Sequence, residues 1–289
     1  MHPILVVGAT GRVGRQVIAE LVVSGVAVRA LTRQTGPQFP WPVDIAVGDL
    51  TQPESLDAAL EGVDRVFLLW TAPATAVAPA IARIARRARH VVFLSSPHQT
   101  PHPFFQQPNP GARLHRAIER ELAVSGVPWT ILRPGMFATN ALGFWMPQIR
   151  HGDVVRWPYA GASTAPVDVR DVATVAARVL LEATHTGRDY VLTGPQSLTQ
   201  AEQVAVIGEA IGRRLHYDEL PPAEARCELA STLPPDILDL LMNAWAVAVD
   251  RPAWVSHAFG ELTGRPPRTF AEWARDHAEA FALVPAPSV

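Results

Sequence analysis

Apolar positions fall in short unbroken runs separated by stretches of helical periodicity. Ile4, Leu5, Val6 and Val7 form the first run, as expected of a strand buried on both faces. Val13, Val17, Ile18, Leu21 and Val22 then recur at helical spacing over residues 12–24, and Gly25 ends the helix. The alternation continues with strands predicted at 26–32, 44–47, 64–70, 91–95 and 127–132. Between them, helices are predicted at 51–61, 74–89 and 113–125, the first opened by Pro53 with Glu54 in its first turn. This rhythm predicts an α/β fold, a Rossmann-like doubly wound parallel sheet. Beyond residue 150 the pattern is more broken, with strands at 165–169 and 190–193 and helices at 171–182, 199–211, 222–231, 235–247 and 270–281. Thr199 followed by Glu202 forms a capping-box signature. The tail at 284–289, with two prolines, is expected to fray.

Gly8, Gly11 and Gly14 follow the first strand directly, spaced GxxGxxG. A strand, a glycine turn and a helix N-terminus make an anion site: the glycines let the backbone approach a pyrophosphate, and free N–H groups favour negative charge. Residues 1–150 are therefore expected to form an NAD(P)-binding Rossmann domain. Residues 151–289 are expected to be a mixed segment that completes the sheet and forms a smaller, mainly helical lobe covering the substrate.

Ligands of such a sheet lie at the carboxyl ends of its strands. That places Thr10, Arg12 and Val13 of the turn, then Arg33, Asp49, Thr71, Pro73, Ser95 and Ser96, in the expected crevice. At the end of the second strand an acidic residue would bond the ribose hydroxyls and select NAD, whereas an arginine accepts a 2′-phosphate. Thr32 and Arg33 stand there with no carboxylate nearby, and Arg12 in the glycine loop reaches the same region. NADP(H) is favoured as cofactor, with NAD(H) as the alternative.

The segment 96–111 is a long proline-rich loop that also holds His98, His102, Phe104 and Phe105. Long loops beside a ligand crevice are often lids. The two histidines lack a third ligand at usable spacing, so no metal site is expected. After Arg133-Pro134-Gly135 come Phe137, Asn140, Phe144, Trp145 and Met146. This aromatic stretch either packs as core or walls a pocket for a flat hydrophobic substrate. Its departure from a strand's carboxyl end favours the pocket, with Phe137, Asn140 and Trp145 against the substrate.

Composition narrows the chemistry further. At 289 residues and a formal net charge of −2, nothing points to a nucleic-acid partner. No apolar run approaches the roughly 20 residues of a membrane span. The first strand begins at residue 4, leaving no room for a signal peptide, so a cytoplasmic protein is expected, its oligomeric state open. The single cysteine, Cys227, excludes an internal disulfide and a cysteine metal cluster. All 25 residues counted as Lys+Arg are arginine. Without lysine there is no Schiff base, no lysine general base and no Tyr-x-x-x-Lys dyad.

With these residues in view, the chain resembles the NmrA-like branch of the atypical short-chain dehydrogenases/reductases. The motifs that carry the resemblance are GATGRVG at 8–14, VRALTR at 28–33, GDL at 48–50 and SGVPWTILRPGMFATN at 125–140. VDVRDVA at 167–173, YVLTGP at 190–195 and LTGRPPRTFAEW at 262–273 also match, so the resemblance spans nearly the whole chain in motif order. It implies NADP(H) bound by the residues above, with Asp49 and Leu50 beside the adenine. It also implies that His115 occupies the place of the catalytic lysine of isoflavone-reductase-like relatives, while quinone-reductase-like relatives carry His then Glu, as His115 and Glu119 stand here. That spacing puts both on one helical face. His115 would relay a proton and Glu119 orient it, or the two would form a structural surface pair. Ser96 matches the approximate place of the family's catalytic serine.

The expected activity is hydride transfer from NAD(P)H to a quinone-like or aromatic substrate. A tailoring step on an aromatic polyketide is one setting, and reduction coupled to hydroxylation a variant of it. A quinone needs little acid catalysis, which suits a site without Tyr and Lys. The alternative of another class is a non-enzymatic dinucleotide sensor that regulates a protein partner. An epimerase-like activity is disfavoured, because such chemistry depends on the tyrosine base.

Overall fold

The computed structural model describes residues 2–283. The tail expected to fray at 284–289 lies outside the described residues.

A parallel sheet of seven strands forms first. It comprises β1 (Ile4–Val7), β2 (Val28–Thr32), β3 (Asp44–Val47), β4 (Arg65–Leu68), β5 (His90–Leu94), β6 (Trp129–Pro134) and a last strand, Arg188–Leu192. Their order is β3-β2-β1-β4-β5-β6 followed by Arg188–Leu192, so strand order reverses beside β1. Ile4 stands opposite Val28 on one side and Arg65 on the other. All four β1 residues are buried, as the unbroken apolar run requires.

Successive side chains point to opposite faces. Leu5, Val7, Val66, Leu68 and Phe93 pack with Ile81, Ile84, Ile118 and Leu122 of the helices Val77–Ala85 and Pro110–Val124. Ile4, Val6, Phe67 and Val92 are equally buried on the other face. There the helices Arg12–Val23 and Val169–Leu181 pack against each other and against the sheet.

The chain forms two compact units, and it passes between them more than once. Met1–Ser96, Pro110–Pro134 and Val169–Leu192 make the first, and Pro97–Asn109, Gly135–Asp168 and Thr193–Val289 the second. A single division at residue 150 is therefore replaced by an interleaved one. The aromatic stretch after Pro134 belongs to the second unit because its side chains are buried with that unit's tryptophans. Residues 169–192 return to the first and supply its edge strand.

The second unit is built on an aromatic cluster. Phe144 lies 5.6 Å from Trp245 and 5.4 Å from Trp157, while Phe270 stacks on Trp273 at 5.2 Å. The helix Gln200–Ala210 carries the expected capping box, with the Thr199 side chain and Glu202 bonded reciprocally. Two small sheets complete the unit: Val154–Trp157 pairs in parallel with His216–Glu219, and Ser163–Thr164 antiparallel with Leu198–Thr199.

The strand expected at 165–169 is corrected. The strand is Ser163–Thr164, and the helix already begins at Val169. Pro166 has no N–H to offer a ladder, and Val167 instead exchanges backbone bonds with Met136 (2.8 Å) and Ala138 (2.9 Å). A buried irregular segment is as apolar as a strand, which is why the pattern misleads there. The helix expected at 51–61 is a 3-10 turn, Pro53–Ser55, followed by Leu56–Ala59, and the one expected at 113–125 runs Pro110–Val124. Among the described residues, no helix is long and apolar enough to cross a membrane. Cys227 is a free, exposed thiol.

One buried histidine makes the first unit acid-sensitive. Thr130 Oγ1 donates to the His185 carbonyl (2.7 Å), so its lone pair is what His90 Nε2 meets at 2.9 Å, as a donor from a neutral ring. Burial, then the charges of Arg65 and His185, push the His90 pKa down from 6.5 to about 4. The unfolded chain binds this proton more readily, so the stabilisation is complete above pH 6.5 and is lost as pH falls toward 4. The loss expected by pH 4 is up to about 3 kcal/mol, at about 1.4 kcal/mol per pH unit. Urea unfolding of wild type and His90→Gln between pH 7.5 and 4.5 checks this. The two curves should converge as pH falls, and a constant gap would contradict it.

Candidate active site

The loops at the carboxyl ends of β1, β2, β3 and β4 enclose a groove of about 300 Å³ in the first unit. Its walls include Gly8, Thr10, Gly11, Arg33, Asp49, Leu50, Thr71 and Pro73, all expected at a dinucleotide site. Gly8 turns the chain out of β1 at φ +78°, a conformation L side chains rarely adopt. Gly11 then starts the helix Arg12–Val23 as an N-cap without a side-chain hydrogen bond, and no acidic residue stands in the first turn. The helix N-terminus is thus left electropositive toward the groove. Gly14 fixes how close the helix comes to the turn, since a Cβ there would lie 2.2 Å from the Gly8 carbonyl oxygen.

Arg33 is exposed and lines this groove. Asp49 Oδ1 accepts from both the backbone N–H and the hydroxyl of Thr51, at 2.8 Å each. Those two bonds, with help from the Arg33 charge, hold the Asp49 carboxyl below its usual range.

Four residues expected at the cofactor do not line the groove. Arg12 is exposed at the helix start, and Val13 and Gly14 are buried beneath the turn. Ser95 turns its hydroxyl onto Glu119 instead. Two other residues shape the site. Arg15 donates to the Thr10 and Gln38 carbonyls, at 3.2 Å each, and lies over the Phe39 ring, tying the turn to the connection after β2. Thr51 completes an Asx-type turn whose D-x-T spacing was visible in the sequence.

A second polar cluster lies at the ends of β5 and β6 in the same unit. His115 Nδ1 is 2.8 Å from Ser96 Oγ, and its ring meets Phe93 edge-on. Arg133 clamps the Glu119 carboxylate with both ends of its guanidinium (2.7 and 3.1 Å), donates to the Ser96 carbonyl (3.2 Å) and reaches Asp189 (2.7 Å). The Arg133 and Glu119 side chains are only 4% and 10% exposed. Burial alone would lower the Arg133 pKa, but hydrogen bonds and charges from Glu119 and Asp189 outweigh it and raise it. Ser96, His115 and Glu119 are thus brought together around a buried arginine. Sequence pattern alone does not reveal this arrangement, because Arg133 lies near the end of an apolar strand and its partners are 14 and 56 residues away.

In the second unit, Phe137, Asn140 and Trp145 line one narrow cavity of about 20 Å³ with Phe144, Trp245 and Gln203. Trp145 is also core, and its Nε1 finds no partner among the described residues. Core and pocket wall are the same residues here.

Comparison with known proteins adds to this geometry. A family model described as NAD(P)H-binding matches residues 8–183. The chain is 39% identical to a (4-alkanoyl-5-oxo-2,5-dihydrofuran-3-yl)methyl phosphate reductase of Streptomyces griseus subsp. griseus, over 96% of this chain and 99% of the relative. It is 32% identical to an NAD(P)H azoreductase of Xenophilus azovorans, over 97% of this chain and 100% of that one. The crystal structure of an NADPH-dependent quinone oxidoreductase from Escherichia coli complexed with NADPH superposes with a TM-score of 0.77 at 25% identity, covering 94% of this chain and 99% of that chain.

Proposed function

We propose, from the premise that the chain belongs to the NAD(P)H-binding family of atypical short-chain dehydrogenases/reductases and is an NAD(P)H-dependent oxidoreductase, that its acceptor is a small electron-poor conjugated compound of quinone type. The observation that carries the reading is the His115–Ser96 hydrogen bond at the carboxyl end of β5, in a chain without lysine. So spare a proton relay suits an acceptor whose reduced form is stabilised by conjugation. The relatives' names support the same class: a quinone, an azo compound, and an unsaturated lactone whose ring double bond carries two carbonyls on one of its carbons.

The bound dinucleotide would supply the hydride. Gly8, Thr10 and Gly11 would hold its pyrophosphate through backbone N–H groups, on a turn shaped by Val13 and Gly14. Arg33 would take the 2′-phosphate, Asp49 and Leu50 would lie along the adenine, and Thr71 and Pro73 would bound the groove. His115 would deliver the proton through Nδ1 and Ser96 Oγ. Glu119 and Ser95 would act as positioning residues, Glu119 through Arg133 and the Ser96 carbonyl. Phe137, Asn140 and Trp145 would contact the acceptor. Coupled hydroxylation of the reduced ring remains the variant in which oxygen is consumed with NADPH.

Two substitutions test these roles. Arg33→Ala should weaken NADPH binding by about 10- to 100-fold, the loss of a charge-assisted contact, and leave NADH binding nearly unchanged. Equal losses for both cofactors would remove Arg33 from the 2′-phosphate. His115→Ala should lower kcat on the order of 10- to 100-fold with NADPH affinity retained, at or below the usual range for an acid catalyst because the acceptor needs little proton donation. Unchanged kcat would make His115 structural.

A further inference from the structure

The stretch after β2, RQTGPQFPWPV at 33–43, carries Arg33 at its start and forms no helix or strand. Pro37, Pro40 and Pro42 have no N–H, so the segment cannot hold itself by a backbone ladder. Gly36, at φ +123°, turns it in a conformation that L side chains rarely adopt. Where the segment lies therefore depends on what reaches it from outside.

Among the described residues, two side chains bond it. Thr32 Oγ1 donates to the Gln34 carbonyl (2.8 Å), which fixes the first residues after the strand. Arg15 fixes the far part. Its Nε donates to the Thr10 carbonyl and a terminal nitrogen to the Gln38 carbonyl, at 3.2 Å each, and the guanidinium carbon lies 5.1 Å from the centroid of the Phe39 ring. A planar guanidinium can bond in its plane while presenting a face to a ring. One group thus joins the glycine turn, at a residue lining the groove, to the segment that carries Arg33. Arg33 depends on that support. Its side chain makes no hydrogen bond or ion pair among the described residues, and its interaction with Asp49 is one of charge alone. An exposed, unpaired arginine has many rotamers, so the backbone beneath it decides what it can reach.

We propose that Arg15 and Phe39 form a latch that sets cofactor preference, a pair of positioning residues holding segment 33–43 against the glycine turn and so keeping Arg33 on the 2′-phosphate of NADP(H). Arg15 acts through Arg33: two carbonyls and a ring already engage its guanidinium. NADH, without the phosphate, gains nothing from the latch. The inference rests on Arg33 taking the 2′-phosphate and goes beyond it in naming what fixes that arginine.

The test is calorimetric titration of the full chain with adenosine 2′,5′-bisphosphate and with adenosine 5′-monophosphate, which differ only in the 2′-phosphate. The ratio of the two affinities is the readout, because a merely structural loss lowers both alike. Wild type should favour the bisphosphate, and Arg33→Ala should remove most of that preference. Arg15→Met should reduce it about tenfold, and Phe39→Leu, which alters no charge, about threefold, the effects expected of two hydrogen bonds with a cation–π contact and of the contact alone. In the Arg33→Ala background, Arg15→Met should change the ratio no further. A wild-type ratio in either latch variant would overturn the proposal while leaving Arg33 at the phosphate. An Arg15→Met effect that persists in full without Arg33 would overturn it as well, since Arg15 would then act by its own charge. Should Arg15→Met fail to fold, Phe39→Leu decides alone. If Arg33→Ala keeps the wild-type ratio, the 2′-phosphate reading itself fails and the latch falls with it.

Discussion

Replacing Gly14 by alanine should weaken NADPH binding by about 10- to 100-fold and lower stability by about 1–3 kcal/mol, the range of overpacked positions. The new Cβ would lie 2.2 Å from the Gly8 oxygen, 2.8 Å from the Gly8 carbonyl carbon and 2.9 Å from Ala9 Cα. All three are backbone atoms of the turn, so no side chain can swing away to make room. Either the helix Arg12–Val23 withdraws or the turn opens, and both disturb the N–H groups offered to the pyrophosphate. Gly11→Ala provides the contrast, because its Cβ meets only the Gly8 oxygen, at 3.3 Å. Fluorescence titration with NADPH and thermal melting read the two effects. A Gly14→Ala variant that binds NADPH as wild type does would mean that the turn is not the pyrophosphate cradle.

Arg133→Ala should be among the most destabilising single substitutions outside the apolar core, at about 3–5 kcal/mol. It removes both guanidinium bonds to Glu119, the bond to the Ser96 carbonyl and the bond to Asp189. What remains is a nearly buried carboxylate that has lost both of its bonds to the guanidinium. Much of the cost is therefore that of a buried charge deprived of its arginine rather than the value of the pair. Removing both partners, as Arg133→Met with Glu119→Met, should recover most of the loss. Urea unfolding of the single and double variants distinguishes the cases. A double variant as unstable as Arg133→Ala would show that the packing of the guanidinium, not its charge, carries the stability.

The parts of this protein legible in its sequence are those set by nearby residues. β1 and β3 have their expected limits because their apolar runs and turn residues are contiguous. The Thr199–Glu202 capping box spans only one helical turn and is formed as expected. Residues at strand ends could be placed in the groove as soon as the sheet was recognised as doubly wound, and eight of the twelve expected cofactor residues line it. Long-range pairing escaped. Val154–Trp157 alternates exposed and buried side chains, but its partner strand begins only at His216, and four residues alone are weak support for a strand. Likewise, the orientation of Ser95 depends on Glu119, and that of Glu119 on Arg133, across three separate elements. Periodicity identifies a buried face; it does not tell which polar groups meet behind it.

The most direct test of the central claim is a paired assay of NADPH and NADH oxidation with a panel of small quinones, oxygen uptake being recorded alongside. Steady turnover is expected, faster at limiting NADPH than at equal NADH. Oxygen consumption beyond spontaneous reoxidation of the free hydroquinone would assign the coupled hydroxylation variant. Tight NADPH binding with no turnover of any acceptor would contradict the account and favour a dinucleotide sensor in its place.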